Sequence, residues 1–147
     1  MAHDFEKFPE LTNSQMALYY FDSPHQQILE DFEAKVIKVH DGDTITLRTE
    51  FRDFDFPLRF LNTDAPELKE GGEESRTWLT RRLLNKKVEI LMDSKQRVGK
   101  FGRLLGTVME GGFNVNDESM MAGMSQDFGN RKDGAIPDIN KELTTTW

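Results

Sequence analysis

The chain has 147 residues, no cysteine and a net charge of −7, with 37% hydrophobic and 31% charged residues. These values describe a globular domain, and they exclude disulfides, thiolate metal sites and a cysteine nucleophile. No apolar run approaches the roughly 20 residues of a membrane-spanning helix. The acidity is local. Residues 1–33 hold Asp4, Glu6, Glu10, Asp22, Glu30, Asp31 and Glu33 against Lys7 alone, a net of −6, which leaves −1 for residues 34–147.

Residues 1–28 read as an N-terminal extension and a candidate docking arm. Pro9 and Pro24 interrupt it, and a short helix after Thr12 or Asn13 is expected, since both residue types cap helices. Its first residues lack a basic stretch followed by an apolar one, so no signal peptide is expected and the chain is placed in the cytoplasm or in a virion. Residues 29–128 carry the strand and helix signals of one domain. Phe32, Ala34 and Val36 alternate with charged residues and are followed by Ile37 and Val39. Asp41-Gly42 is a hairpin signal, after which Thr44–Leu47 resumes a strand. Phe56–Leu61 predicts a third strand, Glu73–Leu84 a helix with acidic residues in its first turn, Val88–Met92 a fourth strand and Gly102–Val108 a fifth. Asn116 is the expected cap of a short helix ending at Gly123, with Met120, Met121 and Met124 as its core side. Residues 129–147 read as a tail with a short helix after Pro137. Five short strands, with a helix between the third and fourth, predict an α+β, mainly β fold. It is a five-stranded Greek-key barrel of the OB type with two or three packed helices.

The residues suited to chemistry sit on two turns. Asp41 by itself reads as an ordinary turn residue. Asp43 gains weight because a second acidic turn, Asp64-Ala65-Pro66-Glu67, follows a strand later. A hard cation takes several oxygen ligands from separate segments. Pro66 pushes Ala65 into an extended conformation, leaving the Ala65 carbonyl open as a further ligand. Glu67 would hold or deprotonate a water at the metal's edge. Arg59 interrupts an apolar strand, and strand periodicity alone puts it on the solvent face. Arg103 follows a Gly102 bend where backbone approaches a ligand closely. His40 reads as an exposed turn residue, and Arg81-Arg82 and Lys86-Lys87 as a solvated helix end.

From about Ala34 to Phe128 the chain resembles the staphylococcal nuclease-like (thermonuclease) family. The motifs are Val39-His40-Asp41-Gly42-Asp43-Thr44, then Leu58-Arg59-Phe60-Leu61-Asn62-Thr63-Asp64-Ala65-Pro66-Glu67, then Gly99-Lys100-Phe101-Gly102-Arg103-Leu104-Leu105-Gly106 and Asn114-Val115-Asn116, in the family's order. The resemblance implies a calcium-dependent nuclease that cuts DNA and RNA with little sequence preference. It implies calcium (Ca2+) at Asp43, Asp64 and the Ala65 main-chain oxygen, with Asp41 as the supporting acid behind them. Glu67 looks like the general base, Arg59 and Arg103 like the phosphate-binding arginines, and Lys100 and Phe101 like substrate-binding positions. The whole chain is also similar to nuclease-like proteins of tailed bacteriophages. The acidic, aromatic-bearing residues 1–28 motivate an alternative expectation, a structural or docking subunit of a phage virion or other assembly that retains the nuclease-like fold and meets a protein partner through them.

Overall fold

The computed structural model describes residues 2–66, 72–99 and 102–127. Its centre is a sheet of β1 (Phe32–Asp41), β2 (Thr44–Arg48), β3 (Phe56–Phe60), β5 (Lys87–Leu91) and β6 (Leu104–Glu110). The order β3-β2-β1-β5-β6 closes on itself because β3 also pairs in parallel with β6, Leu58 beside Leu104 and Arg59 beside Leu105. This is the expected five-stranded OB-type barrel, and closure leaves its principal strands without a bare edge. Two-residue strands β4 (Thr63–Asp64) and β8 (Gln126–Asp127) pair with each other, and β7 (Phe113–Asn114) adds to β6. These three gave no sequence signal, since two residues carry no readable period.

Side-chain alternation explains why the strands form. β3, β5 and β6 place Phe56, Leu58, Phe60, Val88, Ile90, Leu104 and Val108 inside at every second position. In β1 the buried positions run Ala34, Val36 and then Val39, and the pairing with β2 shifts register between Val36 and Lys38. A bulge adds one residue and so changes which parity faces inward. That accounts for the adjacent apolar pair Val36-Ile37.

Helix α2 (Gly72–Leu83) packs on β1 and buries Ser75, Leu79 and Leu83. Its last turn is not merely solvated. Arg82 pairs with Glu110 at the end of β6 and with Glu118 of α3 (Val115–Met121), joining three elements. α3 is capped by Asn114, whose side chain accepts from the Asp117 amide, and not by Asn116. Asn116 is buried instead, accepting from the Val108 amide at 3.0 Å and donating to the Leu61 carbonyl at 3.2 Å. α3 buries Val115, Asn116 and Ser119, whereas Met121 is exposed, so the methionines are not its core side.

The segment expected as an N-terminal extension is held on the barrel. α1 (Asn13–Tyr19) is capped by Thr12 in a reciprocal box with Gln15. Leu11 and Ile28 are buried. Glu10 and Arg52 form a two-pronged buried ion pair. Arg97, in the β5–β6 connection, donates to the Leu11 carbonyl at 3.0 Å and to the Ile28 carbonyl at 2.7 Å. No helix of the described residues is long and apolar enough to cross a membrane.

Candidate active site

Asp41 pairs with Thr44 at the end of the β1–β2 hairpin, so the turn is Gly42 and Asp43. Gly42 is required for space. A Cβ there would lie 1.9 Å from Ser75 Oγ and 2.7 Å from Ala65 Cβ. The hairpin tip is thereby seated against α2 and the β4 turn. Asp41 Oδ1 accepts from the Asp43 amide at 3.1 Å and holds the tip in shape.

The Asp43 carboxyl points inward. Its Oδ2 accepts from the Ala65 amide at 2.8 Å, and its Oδ1 accepts from the Thr44 hydroxyl at 3.1 Å. Arg59 arrives from β3, paired opposite Thr44. Its Nη1 lies 3.3 Å from Asp43 Oδ2 and donates to the Thr63 carbonyl at 2.6 Å, while Nη2 donates to Asp64 Oδ1 at 3.1 Å. Arg59 therefore does not face open solvent, as strand periodicity alone implied; its side chain is 16% exposed and lies between two carboxylates. Arg103, just before β6, reaches the same hairpin, with Nη1 3.5 Å from Thr44 Oγ1.

The structure thus gathers Asp41, Asp43, Asp64, Ala65 and Arg59 and sets Arg103 beside them. Glu67, Lys100 and Phe101 lie outside the described residues. Thr44 was not singled out in the sequence, yet it touches both Asp43 and Arg103. Its position next to Asp43 was a signal, but its pairing opposite Arg59 is a matter of register between β2 and β3. His40 lies within β1, not in the turn, with Nε2 2.7 Å from Thr46 Oγ1. Burial and nearby Lys38 lower its pKa.

Burial pushes the Asp43 carboxyl up to about 7, and the neighbouring Asp41 carboxyl reinforces the shift against the Ala65 amide and Arg59. Near neutral pH Asp43 carries a proton part of the time, and a bound cation would displace it. The donors at the tip are all oxygens, and carboxylates outnumber the guanidinium that touches them. That is the chemistry of a hard divalent cation such as calcium, so the residues present fit one. Among the described residues, no group of three or more His, Asp or Glu side chains is placed to hold a metal ion. A family model described as "Staphylococcal nuclease homologue" matches residues 57–142, more than half of the chain. The match includes Arg59, Asp64, Glu67 and Arg103 and begins after the Asp43 turn.

Proposed function

The chain belongs to the staphylococcal nuclease homologue family, and on that footing we propose that it is a calcium-dependent endonuclease cutting DNA and RNA with little sequence preference. One observation carries this reading: Arg59 lies between the carboxylates of Asp43 in the β1–β2 turn and Asp64 in β4, with Arg103 at the same hairpin. Asp43, Asp64 and the Ala65 main-chain oxygen would hold the cation. Bound there, calcium would polarise a phosphate oxygen and make a coordinated water more acidic. Arg59 and Arg103 neutralise the charge that builds on the equatorial phosphate oxygens. Glu67 orients the attacking water and takes its proton as the bond from phosphorus to the 5′-oxygen breaks. Asp41 keeps the Asp43 tip in place through its amide bond.

The test is cleavage of single-stranded DNA with calcium and with excess chelator, beside a Glu67→Gln/Arg103→Ala double variant. Calcium-dependent cutting that disappears in the variant is the expected result. A folded wild-type protein that leaves DNA intact would overturn the proposal.

A second reading, a docking subunit of a larger assembly such as a virion, is favoured by a separate observation. Leu18 is 72% and Phe21 96% exposed on the acidic N-terminal segment. Large apolar side chains exposed together are characteristic of contact surfaces. Deleting residues 1–28 would not test this cleanly, because Glu10, Leu11 and Ile28 belong to the packed structure. A Leu18→Ser/Phe21→Ser variant is suitable. Tagged protein should sediment with a larger assembly in the cells that make it, and the double variant should not. If both sediment alike, the reading is wrong.

A further inference from the structure

A cleft of about 690 Å³ opens between the N-terminal segment and the starts of β3 and β6. The volume falls within the roughly 300–1,000 Å³ of small-molecule sites. Three observations define what it would accept. The first is a row of rings in its wall. Phe5 meets His25 edge-on at 6.2 Å between centroids, His25 meets Phe54 at 4.9 Å, and Phe54 meets Phe56 at 6.4 Å. His25 is fixed by a 2.9 Å bond between Nε2 and the Pro9 carbonyl.

The second observation is continuity with the candidate active site. Arg103, whose Nη1 approaches Thr44 beside Asp43, lines the same cleft. The third is the closeness of the two walls. Gly102 has φ +74°, and a Cβ there would lie 2.8 Å from Phe8 Cδ1, so the N-terminal segment rests directly on the backbone next to Arg103. Charge does not oppose an anionic ligand here. Of the four carboxylates in the wall, Glu10 is paired with Arg52 and Asp55 with Arg48. Glu6 and Asp53 remain, balanced by Lys7 and Arg103.

We propose that the N-terminal segment builds a nucleoside subsite: the cleft takes the base and sugar adjoining a phosphate held at Arg103, with the base against the Phe5–His25–Phe54 row. The assignment rests on the nuclease reading for its phosphate. Aromatic faces accept any base, so the subsite contributes affinity without sequence preference. Neither wall makes the subsite alone. The barrel supplies Phe54, Phe56 and Arg103, and the N-terminal segment supplies Phe5 and His25.

The experiment is an NMR titration of the full chain with adenosine 5′-monophosphate and, separately, with inorganic phosphate. The nucleotide should bind at least ten times more tightly than phosphate and shift the ring signals of Phe5 and His25. Phe5→Ala removes a half-buried ring, and His25→Gln removes a ring while keeping a donor for Pro9. Each should weaken the nucleotide about tenfold and leave phosphate unchanged. Equal affinity for the two ligands, or shifts confined to residues outside the cleft, would overturn the subsite. The two proposals fail separately. Stacked nucleotide without any cleavage of DNA keeps the subsite and removes the nuclease. Calcium-dependent cleavage with KM unaffected by Phe5→Ala and His25→Gln does the reverse.

Discussion

Arg52 and Arg59 each reach a carboxylate far along the chain, and the sites they form are of opposite kinds. Arg52 is sealed against solvent with Glu10, donates also to the Gln26 carbonyl, and lies 5.0 and 4.6 Å from the Phe54 and Phe56 rings. One charge meets one charge. Arg59 is partly open and meets two carboxylates, Asp43 and Asp64, with Asp41 close behind. There the carboxyl groups outnumber the guanidinium, and burial has raised the pKa of one of them, Asp43, to about 7. A matched pair closes a structure. An unmatched cluster leaves room for a further cation, and so for chemistry. Arg97 belongs with Arg52: it spends its donors on the Leu11 and Ile28 carbonyls, and burial lowers its pKa.

The contrast can be broken by removing one partner at each site. Arg52→Met leaves Glu10 buried without its cation, which should cost about 3–5 kcal/mol of unfolding free energy. Urea denaturation measures it, and an unchanged midpoint would show that the pair is not structural. Arg59→Ala and Arg103→Ala should each lower kcat roughly 10²–10³-fold, about 3–4 kcal/mol of barrier. Calcium bound at the Asp43 and Asp64 carboxylates would offset the lost positive charge, so with calcium present both variants should stay folded in the same denaturation. A variant that unfolds and one that stays folded but inactive would sort the arginines as described.

Asp43→Asn sharpens the comparison through pH. The Asp43 carboxyl titrates near 7 when folded and at its ordinary value of 3.8 when unfolded. Between those values the folded state holds a proton the unfolded state has lost. Wild-type stability in chelator should therefore fall as pH rises from about 4 to 7 and then level off. Asp43→Asn should lack that slope and be more stable at pH 8 by about 1–3 kcal/mol, while losing calcium affinity. Parallel stability profiles for the two proteins would refute the argument. The smallest effect is expected at the exposed side chains: Leu18→Ser and Phe21→Ser should each change stability by less than about 0.5 kcal/mol in the same denaturation.

Much of the barrel was readable because β3, β5 and β6 alternate buried and less buried positions. Phe56, Leu58 and Phe60 announced their strand, as did Val88 and Ile90. The hairpin turn at Gly42 and Asp43 was readable as well, since Asp-Gly constrains the backbone locally, whereas Asp64 of the second expected turn lies in β4. Arg59 was not readable from period alone. The rule that alternate residues face solvent takes no account of a carboxylate arriving from another turn. Asn116 was read as the cap of α3, but Asn114 is the cap; the residue type suits either position, and only the burial of Asn116 between β6 and Leu61 decides against it. Met121 resembled a core residue by composition, yet it is exposed.

Local chemistry, then, was in the sequence: which segments become strands, where the turns fall, and which oxygen and guanidinium groups the chain has to spend. The tertiary structure decided which of those groups meet. The β2–β3 register sets Arg59 opposite the Asp43 hairpin, closure through β3 and β6 brings Arg103 beside it, and Gly42 lets the turn lie against Ser75 and Ala65. It also gave the N-terminal segment its place, since Glu10 pairs with Arg52 and the Leu11 carbonyl accepts from Arg97, both far along the chain. The physical reason is the same in each case. Period and propensity act over a few residues, whereas the neutralisation of a buried charge depends on groups that sequence distance does not relate.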